Sequence, residues 1–146
     1  MENILVRQLK EQYRLWNRIN ALYSKWAKNH GMTYDALFVL YTIYHGNGKC
    51  RQKEICQEWS MPKQTVSSIL KTFDKKGYLN YRQDMADRRG KTIDLTETGL
   101  QNAEPILKEL ERAELAVIHR IGREKMEDLL EGNRMFCRYF QEETER

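Results

Sequence analysis

Residues 61–98 decide the fold. They read Pro62-Lys-Gln-Thr-Val-Ser-Ser-Ile-Leu-Lys-Thr-Phe-Asp-Lys-Lys-Gly77, then Tyr78-Leu-Asn-Tyr-Arg82, then Asp87-Arg-Arg-Gly90, then Ile93-Asp-Leu-Thr96. Val66, Ile69, Leu70 and Phe73 recur at i, i+3, i+4 and i+7, which predicts a helix that buries one stripe. Pro62 suits the opening of that helix, where its missing N–H costs nothing, and Gly77 suits its end. The alternating pairs Leu79/Tyr81 and Ile93/Leu95 predict two short strands over 78–82 and 91–95. The polar segment between them, 83–90, is too long for a two-residue turn and should project as a wing.

Working outward, Leu5, Leu9, Trp16, Ile19, Tyr23 and Trp26 fall at helical spacing and predict a long first helix over 4–28. Asn29-His30-Gly31 stops it, and Thr33 caps a second helix over 34–44 with a stripe of Leu37, Leu40, Tyr41 and Tyr44. Gly46-Asn47-Gly48 breaks that helix. A short third helix over about 51–59 turns Ile55, Cys56 and Trp59 inward, and Ser60-Met61 forms the tight turn into the fourth. Thr96 caps a fifth helix reaching Ile118, in which Pro105 should impose a kink or a delayed start. A break near Gly122 precedes a sixth, with Met126, Leu129, Leu130, Phe136, Tyr139 and Phe140 apolar. The fold class is mainly α: a winged helix-turn-helix core (α-α-α-α-β-β) with added helices at both ends. We expect one domain over 1–146, its core over 33–98, the helix-turn-helix at about 51–76 and the wing at 78–96. Segments 1–30 and 97–146 should form dimerisation helices.

The chain has 146 residues and a net charge of +4, unevenly spread. Residues 49–91 hold eleven Lys/Arg against five Asp/Glu, whereas 97–146 hold eight against twelve. A positive middle and an acidic end favour a polyanion at the middle. No apolar run reaches membrane-spanning length and the N-terminus lacks signal-peptide features, so a cytoplasmic location is expected. Cys50, Cys56 and Cys137 show no metal spacing, and His30, His45 and His119 are scattered. Neither a metal nor a cofactor is expected. The sequence offers no catalytic triad order, phosphate-binding glycine loop or carboxylate pair, which argues against an enzyme.

At 100° per residue, Gln64, Ser68, Lys71 and Lys75 lie opposite the buried stripe of the fourth helix, flanked by Thr65 and Ser67. In helix-turn-helix docking the early residues of the second helix meet base edges and its later cations meet phosphates. Gln64 suits an adenine edge, and Thr65, Ser67 and Ser68 suit bases or phosphates. Lys63, Lys71 and Lys75 supply attraction independent of sequence. On the wing, Arg88, Arg89 and Lys91 are the cations, and an arginine at the tip fits a narrow minor groove. Asp87 would pair with an arginine and fix its direction. A polar face alone is expected on any surface helix; a basic hairpin directly behind it is what favours duplex DNA. The alternative is a winged helix used only as a protein-interaction module, which has no need of that charge. RNA is disfavoured because no aromatic stacking platform is visible on the strands.

Asp87-Arg-Arg-Gly90 followed by Ile93-Asp-Leu-Thr-Glu-Thr-Gly99 resembles the DxR…LTxxG signature of MarR-family transcriptional regulators. Thr65-Val-Ser67 and the exit Phe73-Asp-Lys-Lys-Gly-Tyr78 are similar to the same family's recognition helix and its run into the wing. Phe73 stands where leucine is usual, and Pro105 is a local departure. The resemblance implies a homodimer built from the first, fifth and sixth helices, a near-palindromic operator, and repression of nearby genes. It also implies Arg89 as the wing arginine and Asp87 as its partner. A small aromatic effector is implied too. Tyr13, Trp16, Tyr23, Phe38 and Tyr41 either line its cleft or belong to the core. Independently of the resemblance, the end helices carry more apolar surface than a small winged core can cover, which predicts a second copy.

Overall fold

The computed structural model describes residues 1, 3–83 and 90–146. Among these the elements run α1 (Ile4–Asn29), α2 (Tyr34–His45), α3 (Gln52–Trp59), α4 (Lys63–Lys75), β1 (Leu79–Gln83), β2 (Lys91–Leu95), α5 (Glu97–Ile121) and α6 (Arg123–Thr144). The chain forms two compact units, Met1–Ile106 and Leu107–Arg146.

In the first unit α2 is the centre of the core. Thr33 caps it by accepting from the Ala36 N–H at 3.1 Å. The expected stripe was too narrow: Phe38, Val39 and Ile43 are buried alongside Leu37 and Leu40, whereas Tyr41 is 37% exposed. A helix that is apolar nearly all round has no preferred inward face and goes inside on several. Trp59 locks α3 onto α2. Its ring lies 4.4 Å from that of Phe38, and its Nε1–H donates to Thr42 Oγ1 at 2.6 Å, while the Thr42 hydroxyl donates to the Phe38 carbonyl at 2.7 Å. Ser60 takes the left-handed conformation, with φ 51°, and turns the chain into Met61, which is buried. On α4, Val66, Leu70 and Phe73 are buried and Ile69 is half-buried.

The strands pair antiparallel from Leu79↔Leu95 to Gln83↔Lys91. Cys50 adds a one-residue third strand, its carbonyl accepting from Ile93 N–H at 2.7 Å. That contact ties β2 to the loop before α3. Burial and the nearby Glu54 and Glu58 carboxylates push the Cys50 thiol up to about 12, so it stays protonated at neutral pH.

Thr96 joins the hairpin to α5. Its Oγ1 caps the helix by accepting from Gly99 N–H at 3.0 Å, and its hydroxyl donates to the Gly77 carbonyl at 2.6 Å. The helix starts promptly at Glu97 and passes through Pro105 unbroken, rather than starting late. The ring leaves the Gln101 carbonyl without its helical donor, but both residues are exposed, so the carbonyl remains open to water.

Each unit leaves apolar helix faces uncovered. Of α1, only Ala27 is buried, and Leu5, Leu9, Tyr13, Trp16 and Ile19 are all exposed. The second unit turns at Gly122, whose φ of 92° suits glycine, and exposes Ile118, Leu129, Leu130, Phe136, Tyr139 and Phe140. The Phe136 and Phe140 rings stack with centroids 5.9 Å apart. No helix among the described residues is long and apolar enough to cross a membrane.

Candidate nucleic-acid interface

The outward side of α4 carries the residues singled out above. Lys63, Gln64, Ser68, Lys71 and Lys75 are exposed, and Thr65 and Ser67 are half-buried on its flank. The geometry follows from local causes. Pro62 fixes the first turn, the Val66/Leu70/Phe73 stripe anchors the inner face, and every fourth or third residue opposite it faces out. Lys91, exposed at the start of β2, and Arg82, exposed on β1, extend the positive surface along the hairpin. Lys76, just past α4, lies over the Tyr78 ring with its Nζ 5.8 Å from the centroid. Asp87, Arg88 and Arg89 lie outside the described residues.

Two residues at the start of α3 belong to this surface and escaped the sequence reading. Arg51, the residue before α3, packs its guanidinium on the wing root: a Cβ on Gly90 would sit 3.2 Å from Arg51 Cζ. Gln83 Nε2–H donates to the Gly90 carbonyl at 3.0 Å from the opposite strand. A signal for Arg51 did exist. A cation at a position where Ser, Thr, Asp or Asn would cap the helix opposes the helix dipole, and such a local violation points to a tertiary role. Gln52 reaches across the turn and donates from Nε2 to Ser67 Oγ at 2.7 Å. Nothing in the sequence marks that partner.

The aromatic residues expected to line an effector cleft divide into two groups. Tyr13 and Trp16 pack edge to face on exposed α1, 6.1 Å apart. Tyr23 (5.7 Å), Tyr41 (6.2 Å) and Trp59 surround Phe38, which is buried. Tyr41 also borders a cavity of about 300 Å³ with Thr42, His45, Cys50, Glu54 and Glu58.

Helix, turn, helix and hairpin in this register define a winged helix-turn-helix protein. Residues 30–90 match the model described as MarR family, and the chain belongs to that family. It is 31% identical over 86 residues to the HTH-type transcriptional regulator SarZ of Staphylococcus haemolyticus, covering 59% of this chain and 57% of that protein. It is 26% identical over 103 residues to the DNA-binding transcriptional repressor ScoC of Bacillus subtilis, covering 70% of this chain and 50% of that one. The chain thus spans about half the length of these relatives. Among solved structures, NMB1585, a MarR family regulator from Neisseria meningitidis, superposes with a TM-score of 0.80 at 29% identity, covering 92% of this chain and 94% of that one. MepR of S. aureus in its DNA complex shares the fold, with a TM-score of 0.73 at 17% identity over 88% of this chain and 93% of that one.

Proposed function

We propose that this chain is a sequence-specific duplex-DNA-binding transcriptional regulator of the cytoplasm. It acts as a homodimer on a pseudo-palindromic operator, represses, and is relieved by a small aromatic effector. The observation that carries the reading is the exposed row Gln64, Ser68, Lys71 and Lys75 on a helix leading directly into a basic hairpin. Small polar groups early in the helix and cations late in it match the division between base edges and phosphates. The names of ScoC and SarZ support regulation, and the MepR–DNA complex supports the mode of docking.

Charge contacts give the direct test. Lys71→Ala with Lys75→Ala should weaken binding to any duplex and flatten the plot of log K against log salt by about 1.8, two phosphate contacts at about 0.9 each. Arg89→Ala should weaken operator and random duplex alike and flatten the slope by about 1, with the dimer intact. Unchanged affinity at low salt in both variants would return the winged helix to a protein-interaction role. For the effector, the aromatic group around Phe38 includes Trp59, so binding there should change tryptophan emission. Emission that stays flat across a panel of phenolic compounds would remove this part of the proposal.

A further inference from the structure

We propose that Gln52 sets the hydrogen-bonding polarity of Ser67, holding its hydroxyl as a donor toward an acceptor on a base edge. A residue of α3 thereby decides what α4 reads at one position. This rests on the DNA-binding reading above and deepens it.

Gln52 opens α3 and Ser67 lies in the second turn of α4, fifteen residues on. The amide nitrogen of Gln52 is 2.7 Å from Ser67 Oγ and 3.5 Å from the Lys63 carbonyl oxygen. A carbonyl only accepts, so the side of the amide that faces Lys63 and Ser67 must be its NH₂; the flipped amide would set two acceptors against each other. The hydrogen in the Gln52–Ser67 contact therefore comes from Gln52. Ser67 keeps its own hydrogen, and no acceptor among the described residues takes it. Ser67 is half-buried on the flank of the outward row, beside exposed Ser68 and Gln64. A directed donor at that place suits guanine or thymine, whose major-groove edges carry acceptors, and does not suit cytosine, which presents a donor.

Replacing Gln52 separates this role from simple bracing. In Gln52→Glu the carboxylate cannot donate, so Ser67 gives its hydrogen to the carboxylate and turns its lone pairs outward. The fold tolerates this change, because a carboxylate in the first turn of α3 is favoured by the helix dipole. In Gln52→Ala the hydroxyl rotates freely and serves either role.

The experiment selects bound sites from a random duplex pool with the parent protein, Gln52→Ala, Gln52→Glu, Ser67→Ala and the Gln52→Ala/Ser67→Ala pair. Affinity for one fixed random duplex, melting temperature and oligomeric state are measured alongside. The parent should select guanine or thymine at one position of each half-site. Gln52→Ala and Ser67→Ala should each lose about fivefold discrimination there, the worth of one neutral hydrogen bond, and the pair should lose no more than either alone. Gln52→Glu should move the preference to cytosine. If every Gln52 variant selects the parental site with parental strength, or loses affinity uniformly with base preference unchanged, the inference is wrong while the DNA-binding reading stands. If the parent neither selects a site nor binds the fixed duplex in dilute salt, the DNA-binding reading fails and takes this inference with it.

Discussion

Replacing Gly99 with alanine is expected to lower stability by about 3 kcal/mol, the upper range for overpacking a well-fitted site. The cause is a backbone-to-backbone approach. A Cβ on Gly99 would run into the Tyr78 carbonyl oxygen and would also meet Tyr78 Cα at 3.0 Å and its carbonyl carbon at 3.1 Å. Neither side can retreat. The Tyr78 carbonyl is held by Thr96 N–H at 2.9 Å, and Tyr78 N–H donates to Phe73 at 3.0 Å. Gly99 is fixed by its own N–H on Thr96 Oγ1, and Thr96 in turn by the Gly77 carbonyl. Relieving the clash breaks part of this knot and leaves polar groups unpaired, each costing about 1–3 kcal/mol. The melting temperature should fall on the order of 10 °C, since a domain of this size loses roughly 2–4 °C per kcal/mol. Thr96→Ser, which keeps the cap, should melt near the parent, whereas Thr96→Ala should lose about 1 kcal/mol. Gly99→Ala melting within a degree of the parent would show that α5 is not seated on the strand entry as described.

The same knot explains how much of the molecule is legible in its sequence. Thr96 as a cap follows from its place before a helical pattern, and the stripe of Val66, Leu70 and Phe73 follows from periodicity alone. The LTxxG resemblance marks Gly99 but gives no reason for it; the reason is the Tyr78 carbonyl, which sequence spacing cannot place. Contacts made across a turn were illegible for the same cause. Gln52 with Ser67 and Trp59 with Thr42 lie fifteen and seventeen residues apart, and no propensity records who meets whom. The single bridge at Cys50 has no alternation to betray a strand. On α2, periodicity failed because Leu37 to Ile43 contains too many apolar side chains for one face to stand out.

Charging the exposed aromatic pair of α6, with Phe136→Glu and Phe140→Glu together, is expected to dissociate the proposed dimer and to weaken operator binding more than any single change on α4. Phe136 is 39% and Phe140 60% exposed in the isolated chain, on one face with their rings stacked. In a two-fold assembly each substitution occurs twice, so four sites change at once. Even about 1 kcal/mol per site, below the value of a fully buried phenylalanine, amounts to about 4 kcal/mol and roughly a thousandfold weaker association. Uncompensated carboxylates taken out of water add to that. Sedimentation at micromolar concentration should then show a monomer. Separated copies also lose the effective concentration that links two half-sites, a factor of about 10² to 10⁴. The salt dependence distinguishes this lesion from damage to the recognition surface: a lone copy touches half the phosphates, so the slope of log K against log salt should fall to about half. A variant that stays dimeric at one micromolar and keeps the parental slope would place the interface elsewhere than on this face of α6.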